Sequence, residues 1–162
     1  MLIIDSCALI YLYHSDLLRY TTRLYKFISI PEVLQELSVR ATTKELQIYY
    51  QCLQIQKIEE MDTPLFSKKL SVTDKKLILL YNQHAFDYKG ILSEDGKILE
   101  YCKKNSIPHY CCLSLVAELV KNNILTLEQA QHHMNFLLEI GRYAQWVIDY
   151  AQNLLESLKK NE

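Results

Sequence analysis

The clearest hydrophobic pattern lies in the first ten residues. Leu2-Ile3-Ile4 is an unbroken apolar run that stops on Asp5, and after Ser6 a second apolar run, Cys7-Ala8-Leu9-Ile10, begins. A strand this short and this uniformly apolar is covered on both faces, as in a parallel sheet, and is not an edge. Asp5 therefore stands at the carboxyl end of a buried strand, where open α/β sheets bind ligands. The pattern recurs: Phe27 to Ile30, Gly90-Ile91-Leu92-Ser93 and Ile107 to Cys112 read as further strands, the last introduced by Pro108. Ile55 to Met61 alternates weakly and fits either strand or loop.

Helical spacing fills the intervals. Ser6 stands in the N-cap position of a helix through about Tyr13. Asp16 opens an amphipathic stretch whose apolar positions include Leu17, Leu18, Leu24 and Phe27. Pro31 suits the first turn of a helix continuing from Glu32 to Arg40, and Thr43 caps another through about Leu53. Thr63 to Leu70, with Pro64, reads as a connection. Ser71 or Thr73 opens a helix through about His84, and Lys97 to Lys104 and Leu113 to Lys121 follow. Two helices close the chain, about Thr126 to Ile140 and Arg142 to Lys159, parted by Gly141. Strands alternating with helices imply βαβ crossovers. The expected fold is α/β, three-layered as α/β/α, with a central, mostly parallel sheet of about four strands plus C-terminal helices. Residues 1–125 form the expected α/β domain, and residues 126–162 a helical extension packed on the same domain.

Composition narrows the class. The chain has 162 residues, 49% of them hydrophobic, which suits one domain with a substantial core. Three glycines and three prolines argue against a loop-rich or all-β protein and for many helices. The net charge of −1 supplies no broadly basic face, so binding to nucleic acid needs a local patch or metal ions that mask an acidic cleft. Five cysteines, without CxxC or zinc spacing, and no secretory leader point to reduced thiols and a cytoplasmic location. Cys111-Cys112 read as small buried residues. No apolar run approaches the roughly 20 residues that span a bilayer, so no membrane partner is expected. None of the five histidines has metal-ligand spacing, and His132-His133 is expected to be half exposed. Tyr11, Tyr13, Tyr20 and Tyr25 suit core packing or a homodimer interface better than base stacking.

The candidate chemistry lies in four acids at element boundaries. Asp5 ends the first strand, Glu36 lies one turn into the helix after Pro31, Asp74 sits in the first turn of its helix, and Asp95 follows the Gly90–Ser93 strand. Each has an ordinary explanation: Asp74 as a first-turn acid, Glu36 as a solvated helix residue, Asp95 as a turn residue before Gly96. Asp5 is harder to dismiss, since an acid between two apolar runs is partly buried and needs a partner. Taken together, carboxylates crowded at one point repel unless a cation compensates. Mg²⁺ or Mn²⁺ suits oxygen ligands of this kind and is suited to phosphodiester hydrolysis. Strand alternation sends Glu94, the neighbour of Asp95, away from the site. Lys97 and Lys103 are candidates for substrate phosphate, although a solvated helix face also explains them.

In order and spacing, four segments resemble the PIN domain, a nuclease fold found in VapC-type toxins. They are Ile3-Ile4-Asp5-Ser6-Cys7-Ala8-Leu9-Ile10, Ile30-Pro31-Glu32-Val33-Leu34-Gln35-Glu36-Leu37, Thr73-Asp74-Lys75-Lys76-Leu77-Ile78-Leu79-Leu80 and Ile91-Leu92-Ser93-Glu94-Asp95-Gly96-Lys97-Ile98. The resemblance covers roughly residues 1 to 125. It places the family's acidic positions on Asp5, Glu36, Asp74 and Asp95, and its small polar and hydroxyl positions on Ser6 and Ser93. It implies Mg²⁺- or Mn²⁺-dependent cleavage of RNA, with metal held by Asp5, Asp74 and Asp95, Glu36 completing the site, and Ser6 and Ser93 steadying the carboxylates. It also implies a toxin of a toxin–antitoxin pair, with an antitoxin protein as partner, and a homodimer. The helical tail resembles an uncharacterised prokaryotic subgroup more than the shortest toxins. An aspartyl-nucleophile hydrolase is disfavoured because Cys7 stands where it needs a second acid, and Ser6-Cys7-Ala8 lacks the glycines of a nucleotide-binding turn. The competing reading is a PIN-like module that binds nucleic acid or protein with little or no nuclease activity.

Overall fold

The computed structural model describes residues 1–58 and 68–159. Of the expected segments, residues 59–61 of Ile55 to Met61 and residues 63–67 of the Thr63 to Leu70 connection lie outside the described residues. The elements run β1 (Leu2–Ile4), α1 (Ser6–His14), α2 (Leu18–Leu24), β2 (Phe27–Ser29), α3 (Pro31–Arg40), α4 (Thr43–Cys52) and β3 (Leu53–Ile55). After them come α5 (Val72–Gln83), β4 (Ile91–Leu92), α6 (Gly96–Lys104), β5 (His109–Tyr110), α7 (Cys112–Lys121), α8 (Leu127–Ile140) and α9 (Gln145–Lys159).

The five strands form one sheet in the order β3-β2-β1-β4-β5, and every pairing is parallel. The expected α/β/α class holds, with five strands where about four were expected. The extra one is Leu53–Ile55: Leu53 ends the preceding helix and at once pairs with Phe27, so its three residues were shared between a helix and an uncertain segment in the sequence. β1 lies at the centre of the sheet. Leu2, Ile3 and Ile4 are fully buried, which explains a run with no polar alternation. Each such side chain contributes roughly 1.5–3 kcal/mol by leaving water.

The order of the strands decides where a ligand can sit. From β1 the chain moves outward through β2 and β3 on one side, then returns to build β4 and β5 on the other. The crevice outside the carboxyl ends of β1 and β4 is thus the topological switch point, the usual ligand position in open parallel sheets. At the opposite end, Gly90 holds a φ of +147°, and a Cβ there would meet the Pro108 carbonyl oxygen at 2.4 Å. Glycine is required because β4 enters the sheet pressed against the strand beside it.

Several helix starts differ from expectation by one residue. Asp5, not Ser6, caps α1, accepting from the Ala8 N–H at 2.6 Å. Thr42, not Thr43, caps α4, in a reciprocal pairing with Glu45. In both cases two adjacent residues are competent caps, and backbone geometry selects between them. Ser71 caps α5 as expected. The expected Ile107–Cys112 strand shrinks to His109–Tyr110, because Cys111 caps α7 and Cys112 is already helical. Cys111 and Cys112 are buried, as expected. His133 is buried rather than half exposed: its ring Nδ1 lies 2.9 Å from the Ser15 carbonyl oxygen, a partner brought close only by folding. In the C-terminal pair, Met134 and Leu137 of α8 and Val147, Ala151 and Leu155 of α9 join the same core, packed on α7. Among the described residues no helix is long and apolar enough to cross a membrane.

Candidate functional site

Asp5 terminates β1 at the switch point. Its backbone N–H still belongs to the sheet, donating to the Leu92 carbonyl at 3.1 Å, while its side chain turns into the crevice. One carboxylate oxygen accepts from the Ala8 N–H and the other from the Ser93 hydroxyl. The residue is 6% exposed. Burial raises its pKa from 3.8 to about 7. The Ser93 and Ala8 hydrogen bonds oppose that rise, and the neighbouring charges of Glu94 and Asp74 add to it.

Ser93 joins the two central strands. It is fully buried, donates to Asp5, and accepts from the Asp95 N–H at 3.0 Å. That last bond folds the chain after β4 into the start of α6, whose N-cap is Asp95. Asp95 Oδ1 accepts from the Lys97 N–H at 2.7 Å. Asp74 arrives on α5, which packs against β1 and β4. It is buried, and its Oδ2 accepts from the Ser71 N–H at 2.9 Å. Among the described residues no hydrogen bond engages Asp74 Oδ1 or Asp95 Oδ2.

Glu36 is held by two hydroxyls from different elements. Ser6 donates to Oε2 at 2.5 Å and Thr73 to Oε1 at 2.6 Å. Ser6 thus steadies Glu36, whereas Ser93 steadies Asp5. Thr73 was not singled out in the sequence as part of the site. Its position beside Asp74 is the only signal, and its partner lies 37 residues away. Arg40 was also passed over, although it stands four residues after Glu36 and so on the same helix face. Its guanidinium donates to the Cys7 Sγ at 3.1 Å. That contact raises its pKa, and the charges of Glu36 and Asp5 add to the rise.

Glu94 departs from expectation. Its carboxylate faces inward, accepts from the Cys112 N–H at 2.6 Å, and lies within the electrostatic reach of Asp5. Strand alternation does not apply because β4 ends at Leu92, two residues earlier. Burial raises its pKa, and the Tyr143 hydroxyl and the Cys112 N–H oppose the rise. That hydroxyl is itself buried and lies against Glu94 without regular hydrogen-bond geometry. Gly141 makes the approach possible, since a Cβ there would meet the Tyr143 ring at 2.3 Å. Of the two lysines considered for phosphate, Lys97 is exposed at the start of α6, and the ammonium of Lys103 rests over the Trp146 ring.

The donor set is made of oxygens, which suits a hard divalent cation. Asp5 carries a pKa raised chiefly by burial, and Asp74 and Asp95 each keep one oxygen outside the helix caps. The side chains are not a ready-made cage: among the described residues, no three acidic, histidine or cysteine groups stand together as metal ligands.

No curated protein matches the chain significantly. The family model described as a PIN domain matches residues 1–159, which takes in the acids, the sheet and both C-terminal helices. PIN domains are generally nucleases, and an acid-lined switch point between β1 and β4 is where such chemistry would reside. By this match over nearly its whole length, with the fold in accord, the chain belongs to the PIN domain family.

Proposed function

We propose that the protein is a divalent-metal-dependent ribonuclease that hydrolyses RNA phosphodiester bonds. The observation that carries the reading is Asp5: a buried carboxylate at the carboxyl end of the central strand, pushed up to about 7 and facing two further acids. Such buried charge is offset by a proton or by a cation, and a divalent ion bound at the switch point would take the proton's place. Asp5, Asp74 and Asp95 would hold Mg²⁺ or Mn²⁺, with Glu94 beside them. When bound, the ion neutralises phosphate charge and acidifies a coordinated water. The chain's own groups position the rest. Ser93 and the Ala8 N–H fix the orientation of Asp5, as supporting hydrogen bonds do around metal sites. Ser6 and Thr73 hold Glu36 so that its remaining lone pairs can orient an attacking water. Arg40, beside Glu36 and Asp5, is the cation best placed to meet the substrate phosphate. A toxin role, acting in the cytoplasm under the control of an antitoxin protein, is the natural extension of this reading.

One observation favours a second reading, a binding module with little turnover. Asp74 and Asp95 each give one oxygen to a helix cap, and three ligands do not converge as the side chains stand. The two readings separate in one experiment. The full chain is incubated with structured and unstructured RNA, with and without Mn²⁺, beside Asp5→Asn. The nuclease reading expects Mn²⁺-dependent cleavage by the wild type and none by the variant. RNA bound but never cut supports the binding module, and cleavage by Asp5→Asn at the wild-type rate overturns the role of Asp5.

A further inference from the structure

A groove of about 690 Å³ runs from Glu94 along α6 to the start of α9, so one of its ends lies beside the acid site. Its composition differs from that of the chain as a whole. Lys103, Lys104 and Arg142 line it against two acids, Glu94 and Glu100. Glu100 is paired with Lys104 at 2.8 Å, and Glu94 accepts from the Cys112 N–H. Lys103 and Arg142 are therefore left as the cations that face the groove without an acidic partner among the described residues. The groove thus carries one cation more than it has acids, in a chain of net charge −1. At the far end stands Trp146, 45% exposed. The Lys103 ammonium lies over one face of its ring, 4.8 Å from the centre, which fixes the indole plane. Tyr150, one turn further along α9, is 56% exposed and lines the neighbouring hollow together with Trp146.

A net-cationic groove with exposed rings at helical spacing, leading away from an acid centre, has the chemistry of a track for single-stranded nucleic acid. Cations follow the backbone, and bases stack on the rings without regard to sequence. We propose that this groove holds the single-stranded RNA segment flanking the bond to be cut, with Trp146 as the stacking platform and Lys103 and Arg142 as the phosphate contacts. The identity of the ligand rests on the ribonuclease reading. On this view the C-terminal helices are part of the substrate site. Gly141 and Tyr143 turn the chain in beside Glu94, and α9 then brings Trp146 to the groove and Tyr150 to the hollow beside it.

Trp146 is the only tryptophan in the chain, so it reports on its own contact. The full-length protein is titrated in EDTA with a fluorescein-labelled oligouridylate too simple to fold, following label anisotropy and tryptophan emission together. The expected result is quenching of Trp146 that saturates in step with the anisotropy. Trp146→Ala should weaken binding about tenfold or more, Trp146→Phe should recover part of it, and Arg142→Glu should weaken it with a shallower salt dependence. Thermal melts establish that each variant is folded, and the wild-type quench stands as a test even if Trp146→Ala does not fold. Anisotropy that rises with no change in Trp146 emission overturns the proposal. So does emission that shifts with protein concentration alone while the protein sediments as a dimer, because the face then belongs to a second copy. Cleavage with Mn²⁺ is scored separately. Quenching without cleavage leaves the groove and removes the nuclease, and cleavage without quenching does the reverse.

Discussion

The two ends of the sheet are closed by different means. At the amino end of β1 and β4 the backbone pairs with itself: Leu2 N–H donates to Lys26, Ile3 N–H to Gly90, and Lys89 N–H to Met1. At the carboxyl end the backbone ladder continues, with Asp5 N–H donating to Leu92 and Ser93 N–H to Tyr110, but side chains are added to it. Ser29 donates to the Ile4 carbonyl at 2.7 Å, Ser93 donates to Asp5, and the Asp5 carboxylate receives the Ala8 N–H. Backbone closure needs no particular side chain apart from the glycine that lets two strands approach. Side-chain closure concentrates buried polar groups in one place, and such a place is strained electrostatically unless a ligand completes it. On the proposed reading the amino end is the structural end and the carboxyl end the chemical one.

The sharpest way to break this comparison is to titrate the metal-free protein. The folded state binds a proton at Asp5 more tightly than the unfolded chain between pH 3.8 and about 7. Stability from this group is therefore greatest below about pH 4, falls as the pH rises, and levels off above 7. Asp5→Asn keeps a competent cap and removes the penalty. In EDTA it should unfold at higher denaturant than wild type at pH 8, by on the order of 4 kcal/mol at most, with the gap closing towards pH 4. Mn²⁺ should stabilise the wild type at pH 8 and leave Asp5→Asn unmoved. Equal stabilities at all pH values would show that the carboxyl end carries no electrostatic load.

A smaller effect is expected at the opposite end. Gly90→Ala combines a positive φ with a Cβ driven into the Pro108 carbonyl, and should cost about 1–3 kcal/mol in a denaturant melt. Cleavage per folded molecule should be unchanged, since no candidate site residue is touched. The reverse is expected of Ser93→Ala. It should lower metal affinity or cleavage about 10- to 100-fold with a melting transition that moves less than that of Gly90→Ala. If Gly90→Ala impairs chemistry and Ser93→Ala impairs only folding, the division between the two ends is wrong.

The strands and most helices were legible because their cues are local. An uninterrupted apolar triplet, Pro31 at a first turn and Ser71 three residues before Asp74 each carry their meaning within a few positions. β3 was obscured because Leu53 serves both as the end of a helix and as the start of a strand. Asp5 stands out because a carboxylate ending an apolar run is conspicuous, Asp74 because it is an acid in a first helical turn, and Ser93 only through the family resemblance. Glu94, Thr73, Arg40 and Tyr143 were not, because each matters through a partner remote in sequence: Cys112, Glu36, Cys7 and Glu94.

The sequence by itself determined that a buried first strand ends on Asp5, since the run of apolar residues and the carboxylate that stops it are properties of a short segment. Only the tertiary structure decided that β1 lies between β2 and β4, which places the ends of the first and fourth strands side by side. Strand order is set by how helices pack across the whole sheet, and no local pattern encodes it. The same holds for the C-terminal pair: its apolar spacing announced two helices, but their packing on α7 is what carries Tyr143 to Glu94 and Trp146 to the groove.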